Sequence, residues 1–194
     1  MRPGILIASL VSVAAIAGLV LALPAFGLFN RSEPGKAFAA PGLDPMSFDE
    51  VRAEFYLLTP ALLLVVYDAF GRTQEDEIYD TLASVSAGEA LEDLYLARVG
   101  AMKGGGLDEA DQTIHEIKLL TSSLSSAENA LVIDASWQVI GTVGHAEHLH
   151  VRGNTYSADL TVAPVGDAWK ITGFELLDVN RDTAGETFLA PQTE

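Results

Sequence analysis

The chain has 194 residues, with 27 Asp and Glu against 11 Lys and Arg, which gives a formal net charge of −16 at pH 7. A surface this acidic repels phosphate backbones, so the composition argues against nucleic-acid binding. The chain has no cysteine, which excludes disulfides and a lipid-modified cysteine anchor.

The chain opens with a long uncharged segment, residues 5–29. At about 1.5 Å per residue, a helix of this length crosses a hydrocarbon core of about 30 Å with some tilt. The apolar core is longer than that of a secretory signal, and no small-x-small cleavage site follows it within the usual distance. We therefore predict that residues 1–29 are a retained transmembrane anchor. The alternative is an export signal that is removed.

The residues before the anchor predict its orientation. Only Met-Arg-Pro-Gly precedes the apolar segment, and a very short N-terminal tail usually stays in the cytoplasm while the rest is exported. This predicts a single-pass protein of a bacterial inner membrane with its C-terminal domain in the periplasm. The expected partners are the membrane, through residues 5–29, and another membrane or periplasmic protein.

Residues 30–46 mix Pro, Gly, Ala and charged residues without periodicity, which predicts a linker. The core is then expected after Pro45, so that a domain lacking residues 1–39 should still fold. Ser47 and Glu50 have the spacing of a capping box, in which each side chain binds a backbone N–H at the start of a helix.

Three further helix starts are predicted. Thr59-Pro60 has the pattern of an N-cap followed by Pro in the first turn, and it precedes the apolar segment Ala61–Phe70, expected to be a buried helix. Thr73 precedes acidic residues that suit a first helical turn. Ser86 and Glu89 repeat the capping-box spacing, and the third of these helices is expected to end at the glycines 104–106.

The texture changes to that of strands from Thr113 onward. Apolar residues alternate with polar ones from Tyr156 to Val162, and Gly166-Asp167 indicates a turn into a final strand. Residues 182–194 are predicted to be a loose tail. Helices followed by strands predict an α+β domain over residues 47–181, with helices packed on a curved antiparallel sheet of about four strands.

The order of these elements, ending in Gly166-Asp-Ala-Trp169-Lys170-Ile171, resembles the SnoaL-like or ketosteroid-isomerase-like α+β cone superfamily. The resemblance covers about residues 47–181. That superfamily includes isomerases, cyclases and dehydratases as well as non-enzymatic binding and assembly domains, so the resemblance implies a fold and no single activity. The catalytic pattern of the steroid isomerases is not found at matching positions.

Three of the four histidines lie close together, at His145, His148 and His150. In an extended chain His148 and His150 lie on the same side, about 6.6 Å apart. Imidazoles at that spacing suit Zn, Cu or Ni, with His145 as a third ligand. The alternative is a polar connection between strands whose imidazoles form only structural hydrogen bonds. No other cofactor is predicted.

These patterns leave three hypotheses for function. The first is a non-enzymatic, membrane-anchored binding or assembly domain, acting as an accessory subunit of a membrane protein complex. The second is a metal-binding or metal-handling module that uses the three histidines. The third is a cone-fold enzyme that acts on a small hydrophobic molecule, for which the candidate acids and bases are Asp134, Asp159, Tyr67, Tyr79 and His115.

Overall fold

Three helices precede four long strands, as the change in periodicity predicts. The computed structural model describes residues 35–103, 113–127, 129–145 and 148–189, with only the backbone described for residues 113, 143–145, 148–152 and 181–189. The helices are α1 (Phe48–Gly71), α2 (Glu75–Val85) and α3 (Glu89–Lys103). The strands are β1 (Ala37–Ala40), β2 (Leu43–Ser47), β3 (Thr113–Ser126), β4 (Leu131–His145), β5 (His148–Val165) and β6 (Ala168–Leu189).

The strands form one curled, mixed sheet in the order β2-β1-β6-β5-β4-β3. β1 runs parallel to β6, and the other neighbouring strands are antiparallel. The α+β class is confirmed, but the prediction of about four strands was too low. The additional strands, β1 and β2, lie in the segment expected to be a linker, and β6 continues through residues expected to be a loose tail.

The hairpin of β1 and β2 belongs to the hydrophobic core. Phe38 is 2% exposed, and its ring meets that of Trp169 edge-on at 5.9 Å between centroids. The indole Nε1 of Trp169 donates a hydrogen bond to the carbonyl of Met46 at 2.8 Å. The expectation that the core begins after Pro45 was therefore wrong, because β1 supplies one wall of the pocket that holds Trp169.

The capping box at the start of α1 is confirmed. The backbone N–H of Glu50 donates to the Ser47 hydroxyl at 3.3 Å, and the Glu50 carboxylate accepts the Ser47 backbone N–H at 2.7 Å. The Ser47 hydroxyl also donates to this carboxylate, and these bonds lower the pKa of Glu50 from its ordinary value. The capping box thus satisfies two of the backbone donors at the start of α1.

The predicted helix start at Thr59-Pro60 was wrong, because α1 runs through both residues. Thr59 lies inside the helix and donates its hydroxyl to the carbonyl of Phe55 at 2.8 Å. The backbone leaves helical geometry at Glu54, six positions before the proline. A proline removes one backbone hydrogen bond. The buried face of α1, which includes Leu58, offsets that loss by packing on the core.

Ser86 ends α2 and does not begin α3, so the predicted capping box at this position was wrong. Its hydroxyl and its backbone N–H both donate to the carbonyl of Leu82, at 2.7 and 2.8 Å. The next residue, Ala87, donates its N–H to the carbonyl of Ile171 at 2.9 Å. The link between α2 and α3 therefore runs beside β6, where Ser86 forms a parallel bridge with Ile171.

The two faces of the sheet differ as the alternation along the strands predicts. On β5, Ala158, Leu160 and Val162 are buried, whereas the residues between them are only half-buried. We define the inner face as the one that carries these residues and packs on the helices, and the outer face as the opposite one. The core lies between the inner face and the helices.

Among the described helices, α1 alone is long and apolar enough to cross a membrane, with a mean hydropathy of 1.5 over its most apolar window. It nevertheless buries Leu58, Leu62 and Val66 in the core of the domain. We therefore treat α1 as the central helix of this domain. The predicted anchor, residues 5–29, lies outside the described residues.

Candidate functional site

An aromatic cluster fills the inner face beside α1. Trp137 on β4 pairs in register with Tyr156 on β5, and their rings stack at 5.8 Å with 18° between planes. Tyr67 of α1 accepts a hydrogen bond on its hydroxyl from the indole Nε1 of Trp137 at 3.0 Å. Trp137 is 1% exposed. The side chains of Trp137, Tyr156 and Tyr67 thus pack together between the inner face and α1.

The environment of Tyr67 does not suit a catalytic base. Burial raises the pKa of its hydroxyl above the ordinary value, and the hydrogen bond from Trp137 acts in the opposite direction. The phenol therefore stays protonated near neutral pH. Its oxygen already accepts the indole N–H, so this candidate from the sequence serves to hold Trp137 in place.

The other candidate acids and bases are not brought to one place. Asp134 and Asp159 face each other across β4 and β5 on the outer face. Tyr79 packs edge-on against the ring of Tyr95 at the surface. His115 lies on the exposed side of β3, with its Nε2 at 3.0 Å from a threonine hydroxyl. None of these four residues lies in a buried pocket where it could act as a general base.

A shallow depression of about 330 Å³ lies beside the outer face and is acidic. Four carboxylates line it, from Glu89 and Asp93 on α3, Asp159 on β5 and Glu175 on β6. Asp159 and Glu175 are paired in register. Sequence reasoning missed this grouping because three separate elements supply it. Within the described part of the chain, no three Asp, Glu or His side chains form a group that could hold a metal ion.

The backbone places the three predicted histidine ligands close together in register. His145 ends β4 directly opposite His148 at the start of β5, and His150 pairs with Val143. Because paired residues share a face and every second residue returns to it, all three histidine positions lie on one face of the sheet. Their side chains lie outside the described part of the structure, so the metal site remains a prediction.

No known protein family matches the chain, and no curated protein matches it. Among solved structures, it is similar to the intermembrane space region of the chloroplast protein ARC6, with a TM-score of 0.41 and 18% identity over 71% of this chain and 98% of that chain. It is also similar to a de novo designed beta-sheet protein, with a TM-score of 0.30 and 13% identity over 60% of this chain and 82% of that chain. At these scores neither similarity assigns a function.

Proposed function

We propose that this chain is a membrane-anchored, extracytoplasmic binding domain that acts as a non-enzymatic accessory subunit of a membrane protein complex. Its predicted anchor is residues 5–29, and the cone superfamily that its sequence resembles includes non-enzymatic binding and assembly domains. The observation that supports this proposal is that side chains fill the inner face. Where Trp137, Tyr156 and Tyr67 pack together, the sheet holds its own side chains in place of a ligand.

The edge of the sheet offers a surface for a partner. β3 is the last strand in the sheet order, so one side of its backbone has no neighbouring strand among the described residues. Register shifts interrupt its pairing with β4 at His115 and at Leu120, which is 46% exposed. Bulges of this kind protect an edge from indiscriminate pairing and leave short stretches for a specific partner.

The first prediction concerns membrane attachment and assembly. The full chain should remain in the membrane pellet after a carbonate wash, because burial of the apolar anchor does not depend on salt or surface charge. In mild detergent it should migrate on a native gel as a complex larger than the 20.6 kDa chain with its micelle. A chain whose residues 1–34 are replaced by a cleavable signal is the matched control and should be washed free. Release of the full chain by carbonate would contradict the anchor, and migration as a monomer would contradict assembly.

A second candidate function is metal binding by His145, His148 and His150. The observation that favours it is the backbone register, which places the three positions on one face at the paired ends of β4 and β5. Neutral imidazole is a preferred ligand of Zn²⁺, and facing positions on paired strands lie about 4.5–5.5 Å apart. If this proposal holds, the inner face is packed with side chains around Trp137 and carries a metal site where the paired ends of β4 and β5 meet.

The second prediction tests this alternative in the full chain, purified in detergent and titrated with zinc chloride by calorimetry. We expect stoichiometric binding near neutral pH that is lost in mildly acidic buffer, since an unperturbed histidine side chain has a pKa of about 6.5. Replacing His148 and His150 together by Ala should abolish binding. The control is His115→Ala, which changes the remaining histidine on β3. Equal binding by the double variant and the unchanged chain would rule out these histidines as ligands.

A further inference from the structure

Part of the surface of α1 carries exposed apolar side chains. Tyr56, Leu57 and Leu64 are 49, 41 and 54% exposed. Pro60 and Ala61, both half-buried, lie between them at helical spacing, so the five residues form one continuous stripe along the helix. We define these five residues as the outer stripe of α1.

The outer stripe has the composition of a covered surface. No charged residue occurs between Glu54 and Asp68, although a helix face in contact with water ordinarily carries charged residues. The opposite side of α1 already supplies the core, through residues such as Leu62 and Val66. The apolar side chains of the stripe are therefore not needed to fill the core. A contiguous apolar surface of this kind marks an interaction site.

The path of the chain brings the predicted anchor to the same helix. Ala37, the first residue of β1, pairs with Ser47, the N-cap of α1. Paired antiparallel residues have Cα atoms about 4.5–5.5 Å apart, so the chain that leaves the anchor reaches the domain beside the first turn of α1. Residues 30–36 alone connect the two, and at about 3.3–3.6 Å per residue they extend to about 25 Å at most.

We infer that the outer stripe of α1 rests on the bilayer that holds residues 5–29, with its apolar side chains at the boundary between headgroups and acyl chains. This inference rests on the proposed anchor. Leu57 and Leu64 supply apolar area for insertion, and Tyr56 has the amphipathic ring that is favoured at headgroup level. The arginines nearest the two ends of the stripe form ion pairs with carboxylates of the same helix, Arg52 with Asp49 and Arg72 with Asp68.

The net charge of the chain indicates which lipid headgroups suit the outer stripe. At a net charge of −16 the protein is repelled by anionic headgroups, so the attraction comes from burial of apolar area and is strongest on a zwitterionic surface. The surface that the stripe fits is therefore phosphatidylcholine-like or phosphatidylethanolamine-like.

The absence of cysteine allows a direct test, because a single introduced cysteine is the only labelling site. The full chain is reconstituted in phosphatidylcholine vesicles with a nitroxide attached at Leu57→Cys or Leu64→Cys. Matched controls are Tyr79→Cys on α2 and Leu120→Cys on β3, which are 45 and 46% exposed. Electron paramagnetic resonance then compares collisions with oxygen, which concentrates in lipid, and with a nickel chelate, which stays in water.

We expect the oxygen-to-nickel collision ratio at Leu57 and Leu64 to exceed that at the control positions several-fold. Adding Leu64→Glu to the chain labelled at Leu57 should lower this ratio toward the control values, whereas adding Leu120→Glu should not. High nickel access at the stripe would overturn the inference. Low access to both reagents would also overturn it, since protein would then cover the stripe; spin–spin broadening would identify a second copy as the cover.

A separate measurement keeps the anchor and the stripe distinguishable. Flotation of the same vesicles in a density gradient reports whether the chain is held by the membrane at all. Vesicles that float without the chain would overturn the anchor, and the inference with it. Vesicles that carry the chain with water-exposed labels at Leu57 and Leu64 would overturn the inference about the stripe alone.

Discussion

Removing residues 1–39 is expected to destabilise the domain by at least about 3 kcal/mol more than removing residues 1–34, because the longer deletion takes Phe38 with it. Phe38 is 2% exposed and packs edge-on against Trp169. Its loss opens a cavity beside the indole, whose Nε1 is fixed to the carbonyl of Met46 and cannot swing in to fill the space. Truncation of a buried Phe to Ala costs about 3–5 kcal/mol.

Urea unfolding of the two truncated chains, followed by tryptophan fluorescence, measures this difference. The point variant Phe38→Ala in the chain that begins at residue 35 should reproduce most of the loss. Its matched control is Ala39→Ser, on the same strand but exposed, which should change the free energy of unfolding by less than about 0.5 kcal/mol. Identical unfolding midpoints for the two truncations would mean that β1 does not belong to the stable core.

Trp137→Ala is expected to lower the free energy of unfolding by about 3–5 kcal/mol, the range for truncating a buried Trp. The side chain is 1% exposed, stacks on Tyr156 and donates to Tyr67, so its removal empties the centre of the inner face. Trp137→Phe should cost less, because it keeps an aromatic ring on Tyr156. It still leaves the partly buried Tyr67 hydroxyl without its indole donor.

Asp134→Ala provides the control for this pair of variants. Asp134 lies on the same strand but on the outer face, where it is exposed and directly opposite the carboxylate of Asp159. Like charges placed opposite each other across strands are destabilising, so this variant should be neutral or slightly stabilising. If Trp137→Ala were as mild as Asp134→Ala, the aromatic cluster would not be part of the core.

The sequence predicted best the elements whose pattern is local. Alternation from Tyr156 to Val162 identified the two faces of β5, and the capping box at Ser47 located the start of α1. Both signals arise within a few residues of chain, where side-chain period and backbone geometry are directly linked. The change from helices to strands near Thr113 was sufficient to predict the α+β class.

The errors concern features that depend on distant partners. β1 is four residues long and rich in alanine, so its strand character comes from pairing with β2 and β6 and not from its own composition. Thr59-Pro60 has a valid start pattern, but packing of the whole helix on the core overrides it. The apolar segment Ala61–Phe70 was expected to be buried on nearly every face, yet α1 packs by one side and leaves Leu64 exposed.

The candidate site was predicted less well than the fold, for the same reason. Tyr67 and Trp137 are 70 positions apart, and no local spacing relates them. The histidine segment was expected to be a long hairpin connection or an irregular strand edge, whereas β4 continues as far as His145 and β5 already begins at His148. The sequence did not predict the outer stripe of α1, because an uncharged apolar segment has the same composition whether it faces a core or a membrane.

The parallel pairing of β1 with β6 also constrains when the protein can fold. Lys36 directly precedes β1 and Asp167 directly precedes β6. The two side chains form an ion pair at 3.3 Å, although they are 131 positions apart in the chain. Among the described elements β1 is the first to be synthesised, whereas β6 is synthesised after all the others. Contacts of such high sequence separation form slowly, because closing a long loop costs conformational entropy. The domain therefore completes its core only once β6 has been synthesised, and until then β1 has no parallel partner strand.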